Sequence, residues 1–474
     1  MRSVLRSISD HLLVCLSGLT AEIRAVLTSA GFKRGCKTCV GFLVMLAPLS
    51  APAQLTCIGS WQDRLGTSLD DQIRTTVRDN AGNVYIGGFD GGMLGVENWW
   101  PVGDSKGFVE KRAPSGALLW RYDFDTAGTD IVEAMALDSN GRVIVAGRTD
   151  GAFPGAVNGG QFDLFLGILD ADGHLVSVKQ LGDERPQHPV ALTVLQDGDL
   201  VVAGYDDVFV LGNAVIDWEN GFVARFKISA ANAVTPAWWL QPNLPQTDLV
   251  TSVTDALDGS GDVFVSDLNS TSPANGGGVH VKRLDQVGNT IWTKTVSSIS
   301  LDYISNVAVS NDGRLFVAGT TIGQVAGPSL GNSDGFVVEL DPKTGTFLHG
   351  RQLGSAGAEW IYSLSIDSSG TLYVAGETDG AIAPGFHVDG SYVPFAQALS
   401  TNLISLGAWQ PDPPAIFAEE TLLIVPTGCN GAVLVAGSSN VSLPGLPSAG
   451  REDALVLTIP LVDSIFLNDF EVGK

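Results

Sequence analysis

The chain has 474 residues, 57 of them glycine, with 45% apolar and only 16% charged side chains, a composition that excludes a long disordered polymer. Its formal net charge of −24 argues against a nucleic-acid binder, which needs a basic face. The apolar runs fall short of the roughly 18 residues of a membrane-spanning helix, so the mature chain is expected to have no transmembrane segment.

Residues 33–53 carry the three parts of a secretory signal. A basic flank at Lys33, Arg34 and Lys37 precedes an apolar core from Cys39 to Leu49, and Ala51-x-Ala53 closes it. A second apolar patch, His11–Leu19, lies upstream, so either the basic region is extended or translation starts further along. Residues 1–53 are therefore expected to be an export segment, delivering the protein to the periplasm, the cell surface or the extracellular space. Gln54-Leu55-Thr56 before Cys57 does not fit a lipidation signal.

After residue 53 a pattern of Gly, alternating aliphatics and a small residue recurs seven times. It begins at Gly82, Gly141, Gly198, Gly261, Gly313, Gly370 and Gly431. Each copy follows an alternating segment such as Ile361-Tyr362-Ser363-Leu364-Ser365-Ile366 and a tight Asp/Asn/Gly turn. A third strand (Gly107-Phe108-Val109, Gly335-Phe336-Val337) and an outer strand, often aromatic (Leu119-Trp120, Ile291-Trp292), complete the unit. Four antiparallel strands per unit without helical periodicity predict an all-β fold, a seven-bladed β-propeller over residues 54–462.

An open solenoid would need polar caps at its ends, whereas these ends look complementary. The last unit supplies three strands, near 421–425, 432–436 and 454–459. The stretch Trp61–Gly66 has the shape of the outer strands 350–354 and 178–182. The N-terminal strand is thus expected to join the last blade and close the ring. Cys57 and Cys429 then fall at the same end of that blade, which predicts a disulfide between them in an oxidising compartment. Such a bridge would contribute up to about 5 kcal/mol, unless the two thiols lie beyond bonding reach.

Asp367-Ser368-Ser369-Gly370-Thr371-Leu372-Tyr373-Val374-Ala375-Gly376 and the stretch from Asp138 to Thr149 resemble the SBBP family of exported bacterial propeller repeats. Ser266-Asp267 in the fourth unit and Val393-Pro394-Phe395 in the sixth depart from that pattern. The resemblance implies an exported seven-bladed propeller and no shared catalytic residues. Residues 463–474, with Ile465-Phe466 and Phe470-Glu471, resemble a short tail of some exported Gram-negative proteins.

Chemistry-bearing motifs are sparse. His174, His188, His280, His349 and His387 are scattered over different units, with no nucleophile elbow and no zinc spacing. Acidic turns such as Asp138-Ser139-Asn140-Gly141 are explained by local backbone bonding better than by calcium. Gly116–Trp120 and Gly288–Trp292 share the Gly-x-x-x-Trp spacing of quinoprotein propellers, but the other outer strands lack it. No metal and no cofactor is expected. The long loops are the better prospect. Met93–Lys106 carries Trp99 and Trp100, and Tyr205–Asn220 carries Asp206, Asp207, Trp218 and Glu219, a mixture suited to a glycan or protein ligand. The expected function is a non-catalytic, monomeric binding module. The alternative is an extracytoplasmic enzyme acting on polysaccharide at the channel mouth.

Overall fold

A computed structural model describes residues 61–94, 101–102, 105–208, 218–241, 248–269, 278–298, 302–382, 386, 390–411, 422–427, 432–439 and 453–461. The expectations for residues 1–53, for Cys57 and Cys429, for Trp99 and Trp100, and for residues 463–474 lie outside the described residues.

The strands form seven blades of four antiparallel strands. In blade 1 the order from the centre outward is Asp70–Arg78, Val84–Leu94, Lys106–Arg112 and Leu118–Phe124. Blades 2 to 6 repeat the meander, their innermost strands being Asp130–Leu137, Gln187–Val194, Asp248–Asp255, Asp302–Val309 and Glu359–Ile366. Second strands such as Val143–Thr149 and Leu315–Thr321 are buried throughout, because blades pack against both of their faces. Outer strands such as Leu118–Phe124 are largely exposed or half-buried.

The seventh blade is composite. Leu423–Pro426, Ala432–Ser439 and Asp453–Pro460 come from the end of the chain, and Gln62–Leu65 from its beginning adds the fourth strand. The register pairs Gln62 with Leu457 and Leu65 with Ala454. Arg64 Nη1 lies 2.8 Å from Asp453 Oδ2, and Thr458 N donates to Trp61 O at 3.0 Å. Ile73, Ile86 and Phe108 of blade 1 share a core with Leu434, Ala436 and Val456 of blade 7. The closure expected from the sequence is thus present in both pairing and packing.

Each of blades 1 to 6 has a β-bulge at one equivalent point of its innermost strand. The bulges fall between Ile73 and Thr75, Val132 and Ala134, Pro189 and Ala191, Val250 and Ser252, Ile304 and Asn306, and Ile361 and Ser363. A bulge adds one residue and re-aims side chains on a strand edge. Immediately after it, Thr75 Oγ1 accepts from Met135 N at 3.1 Å, Ser252 Oγ from Val307 N at 3.2 Å, and Ser363 Oγ from Ile424 N at 3.4 Å. These hydroxyls stitch one inner strand to the next.

Outer strands are locked to the following blade by tryptophan and arginine. Trp120 Nε1 donates to Ala171 O at 3.0 Å while its ring covers Gly173, whose φ of +86° closes the turn. Trp238 reaches Gln286 O at 2.8 Å, beside Arg225, and Trp292 reaches Pro342 O at 3.2 Å, beside Arg283. The tryptophan of each Gly-x-x-x-Trp segment therefore acts as a clamp on the next blade.

Candidate binding channel

The innermost strands of all seven blades surround a cavity of about 660 Å³. That volume lies within the range of small-ligand sites. Arg74, Glu133 and Val190 occupy the bulge position of blades 1, 2 and 3 and line the cavity. Thr76, Asn306, Asn311 and Ser365 add amides and hydroxyls to the wall, and Arg78, Asp79 and Asp367 mark the end where the inner strands turn outward.

Charge in the wall is partly neutralised from behind. Glu133 Oε1 lies 2.9 Å from Arg148 Nε in an ion pair, and Arg148, only 1% exposed, also contacts His188 Nδ1 at 2.5 Å. A guanidinium has no acceptor, so Nδ1 must carry the lone pair and His188 is held neutral on that nitrogen. The imidazole stacks on Tyr205 with centroids 4.9 Å apart, and the Arg148 guanidinium lies 5.0 Å from the centre of the Phe162 ring. Three ionisable side chains thus converge between blades 2 and 3, with Arg148 and His188 buried.

A second set of acids sits at the start of the inner strands, where each caps the turn that enters its blade. Asp71 accepts from Thr67 N at 2.7 Å, Asp130 from Thr126 N at 2.6 Å, Asp302 from Ser298 N at 2.6 Å and Glu359 from Ser355 N at 2.9 Å. Burial pushes the carboxyls of Asp71 and Asp130 up to about 6, although the turn hydrogen bonds pull the other way. Burial likewise raises the Asp90 carboxyl against the pull of Arg121. These carboxylates belong to the blade architecture.

The loop residues singled out from the sequence fare differently. Asp206 is buried and accepts from Gln241 Nε2 at 2.6 Å, which makes it a partner of its own blade's outer strand. Asp207, Trp218 and Glu219 lie in strand rather than loop, since the hairpin of blade 3 extends to Val208 and resumes at Trp218. In that ladder Asp207 pairs with Glu219 and Val208 with Trp218. The extension follows from an uninterrupted strand sequence without proline on either side. Of the histidines, His174 faces Asp170 at 3.2 Å, His280 faces Asp267 at 3.8 Å and His349 faces Glu339 at 3.1 Å, while His387 lies outside the described residues. No group of three or more His, Cys, Asp and Glu side chains able to hold a metal occurs among the described residues. Among the described residues there is no helix long and apolar enough to cross a membrane.

Arg74, Glu133 and Arg148 escaped attention in the sequence. A signal was available: aligning the seven units places Arg74 and Glu133 at one position, and Arg148 is a lone charge in a run that is otherwise apolar or small.

No family model matches the chain, and no curated protein does. Among solved structures it is similar to Drosophila Semaphorin 1b, extracellular domains 1-2 (TM-score 0.42, 11% identity, 85% of this chain and 87% of that one). It is similar also to a quinohemoprotein alcohol dehydrogenase from Comamonas testosteroni (TM-score 0.44, 12% identity, 86% of this chain and 76% of that one). A third is a PL25 ulvan lyase bound to a GlcA-Rha3S saccharide (TM-score 0.43, 9% identity, 85% of this chain and 97% of that one).

Proposed function

We propose that the protein is an exported propeller that binds a glycan or protein ligand without chemically altering it, at the cell surface, in the periplasm or in the extracellular space. The observation that carries this reading is the central channel, where the side chains of Thr76, Asn306, Asn311 and Ser365 are left uncommitted while most buried ionisable groups serve turns and blade contacts. The signal-like residues 33–53 and the resemblance of the repeats to the SBBP family support export. A second reading, an extracytoplasmic enzyme acting on polysaccharide, draws support from the convergence of Glu133, Arg148 and His188. The burial of Arg148 and His188 weighs against it, because a substrate has no direct access to them.

Glycan and protein arrays probed with the full chain and with Trp99→Ala test the proposal. Saturable binding of one ligand class, weakened by the substitution, is the expected outcome. Depolymerisation of a bound polysaccharide, abolished by His188→Ala in a folded variant, would replace binding by catalysis.

A further inference from the structure

Five arginines of the blade walls are each paired with a carboxylate. Arg112 holds Glu110, Arg148 holds Glu133, Arg225 holds Asp199, Arg283 holds Asp262 and Arg314 holds Glu339, at 2.6 to 2.9 Å. Arg74 breaks the pattern. It lines the channel, is half-buried, and has no carboxylate partner among the described residues; its guanidinium lies 5.8 Å from the centre of the Phe89 ring. Its Nε is buried without a hydrogen-bond partner. In a chain of net charge −24, acids were plentiful enough to satisfy it.

The acids of the same wall are already committed. Glu133 is neutralised by Arg148, Asp79 accepts from Asn83 N at 2.8 Å and Asn83 Nδ2 at 2.7 Å, and Asp367 accepts from Ser369 N at 2.8 Å and Thr371 N at 3.0 Å. Four of the neutral polar groups are not: Thr76, Asn306, Asn311 and Ser365 make no side-chain hydrogen bond among the described residues. Arg78, four residues further along the Arg74 strand, also lines the cavity beside Asp79 and adds positive charge to that part of the wall.

We infer that the channel takes an acidic oligosaccharide, with a uronate carboxylate paired to Arg74 and ring hydroxyls meeting the amides and hydroxyls of the wall. An arginine fork matches a carboxylate by two parallel N–H donations, and free amide and hydroxyl groups suit sugar hydroxyls. This rests on the binding role proposed above and narrows its ligand to one chemical class.

Calorimetric titration of the full chain with tetragalacturonate and with neutral maltotetraose tests the assignment. Wild type should bind tetragalacturonate in preference to the neutral tetramer. Arg74→Gln should weaken acidic binding at least tenfold, with circular dichroism and melting temperature unchanged. Arg74→Lys, which keeps the charge and loses the fork, should fall between the two. Asn306→Ala should weaken it by a smaller factor. Binding of both tetramers with equal affinity, or acidic binding unmoved by both Arg74 substitutions, would overturn the inference and leave the binding role intact. Wild type that ignores both tetramers but captures a protein on the array overturns it too. Wild type that binds nothing on either array removes the broader role as well.

Discussion

Ring closure rests on a short N-terminal strand, and one buried ion pair in it can be tested quantitatively. Arg64 pairs in register with Leu455, two residues beyond Asp453; its Nη1 donates to Asp453 Oδ2 at 2.8 Å and to Ser439 O at 3.2 Å. The side chains are 4% and 0% exposed. Blades 2 and 5 solve the same problem with glutamine: Gln180 donates to Asp163 at 2.7 Å and Gly151 O at 3.0 Å, and Gln352 to Asp334 and Gly323 O, both at 2.8 Å. Removing one partner of a buried pair strands the other charge and costs about 3–5 kcal/mol. Arg64→Ala should therefore destabilise the protein by that amount. Arg64→Gln restores the donor used elsewhere in the ring and should cost only about 1 kcal/mol, near the value of a single hydrogen bond. Arg64→Ala combined with Asp453→Asn should recover part of the loss, because no buried charge remains unpaired. Urea unfolding of the full chain, followed by tryptophan fluorescence, gives the comparison. Equal stability of the alanine and glutamine variants, or an alanine cost below about 1 kcal/mol, would refute the view that this contact holds the ring shut.

Two further outcomes follow from the blade contacts. Gly173→Ala places a Cβ 2.5 Å from the Trp120 ring at a φ of +86°, so it should destabilise by more than about 1 kcal/mol, read as a drop in urea midpoint. The same substitution at Gly141, where a Cβ would meet nothing within 4 Å, carries only the backbone penalty and should cost less. Asp71 and Asp130 titrate near 6 in the folded chain against about 4 unfolded, so between those pH values the native state binds more protons. Their contribution to stability is therefore greatest below about pH 4 and is lost as pH rises through about 6, on the order of 2 kcal/mol for each. Unfolding free energies measured from pH 4 to 7 should show a shallower fall in Asp130→Asn; an unchanged slope would contradict the assignment.

The architecture was legible because its determinants repeat. A glycine after each Asp/Asn turn and a β-branched second strand recur seven times, and the outer-strand shape of 61–66 stood out against a last blade lacking one strand. The contacts that regulate charge were less visible because they join residues remote in sequence. Arg148 meets His188 across 40 residues and Arg64 meets Asp453 across 389, and neither separation has a local signature. The bulge was hidden for another reason: an inserted residue leaves the alternation on both sides intact, so Arg74 and Glu133 read as ordinary polar positions of a strand.

That same bulge explains why ligand chemistry and structural chemistry separate in this fold. Within a blade, successive side chains point at the neighbouring blades, where a charge must be paired or pay for its burial. Arg112, Arg225 and Arg283 lie there, and each is bound to both a carboxylate and a carbonyl. In blades 1 to 3 the residue inserted on the edge strand borders the channel, whereas in blades 4 to 6 Thr251, Ser305 and Tyr362 bond to Ser266, Ile361 O and Glu377. The inserted residue varies from blade to blade: Arg74, Glu133, Val190, Thr251, Ser305 and Tyr362. Of the two charges at this position Glu133 is neutralised by Arg148, and Arg74 is the one left facing the channel without a carboxylate.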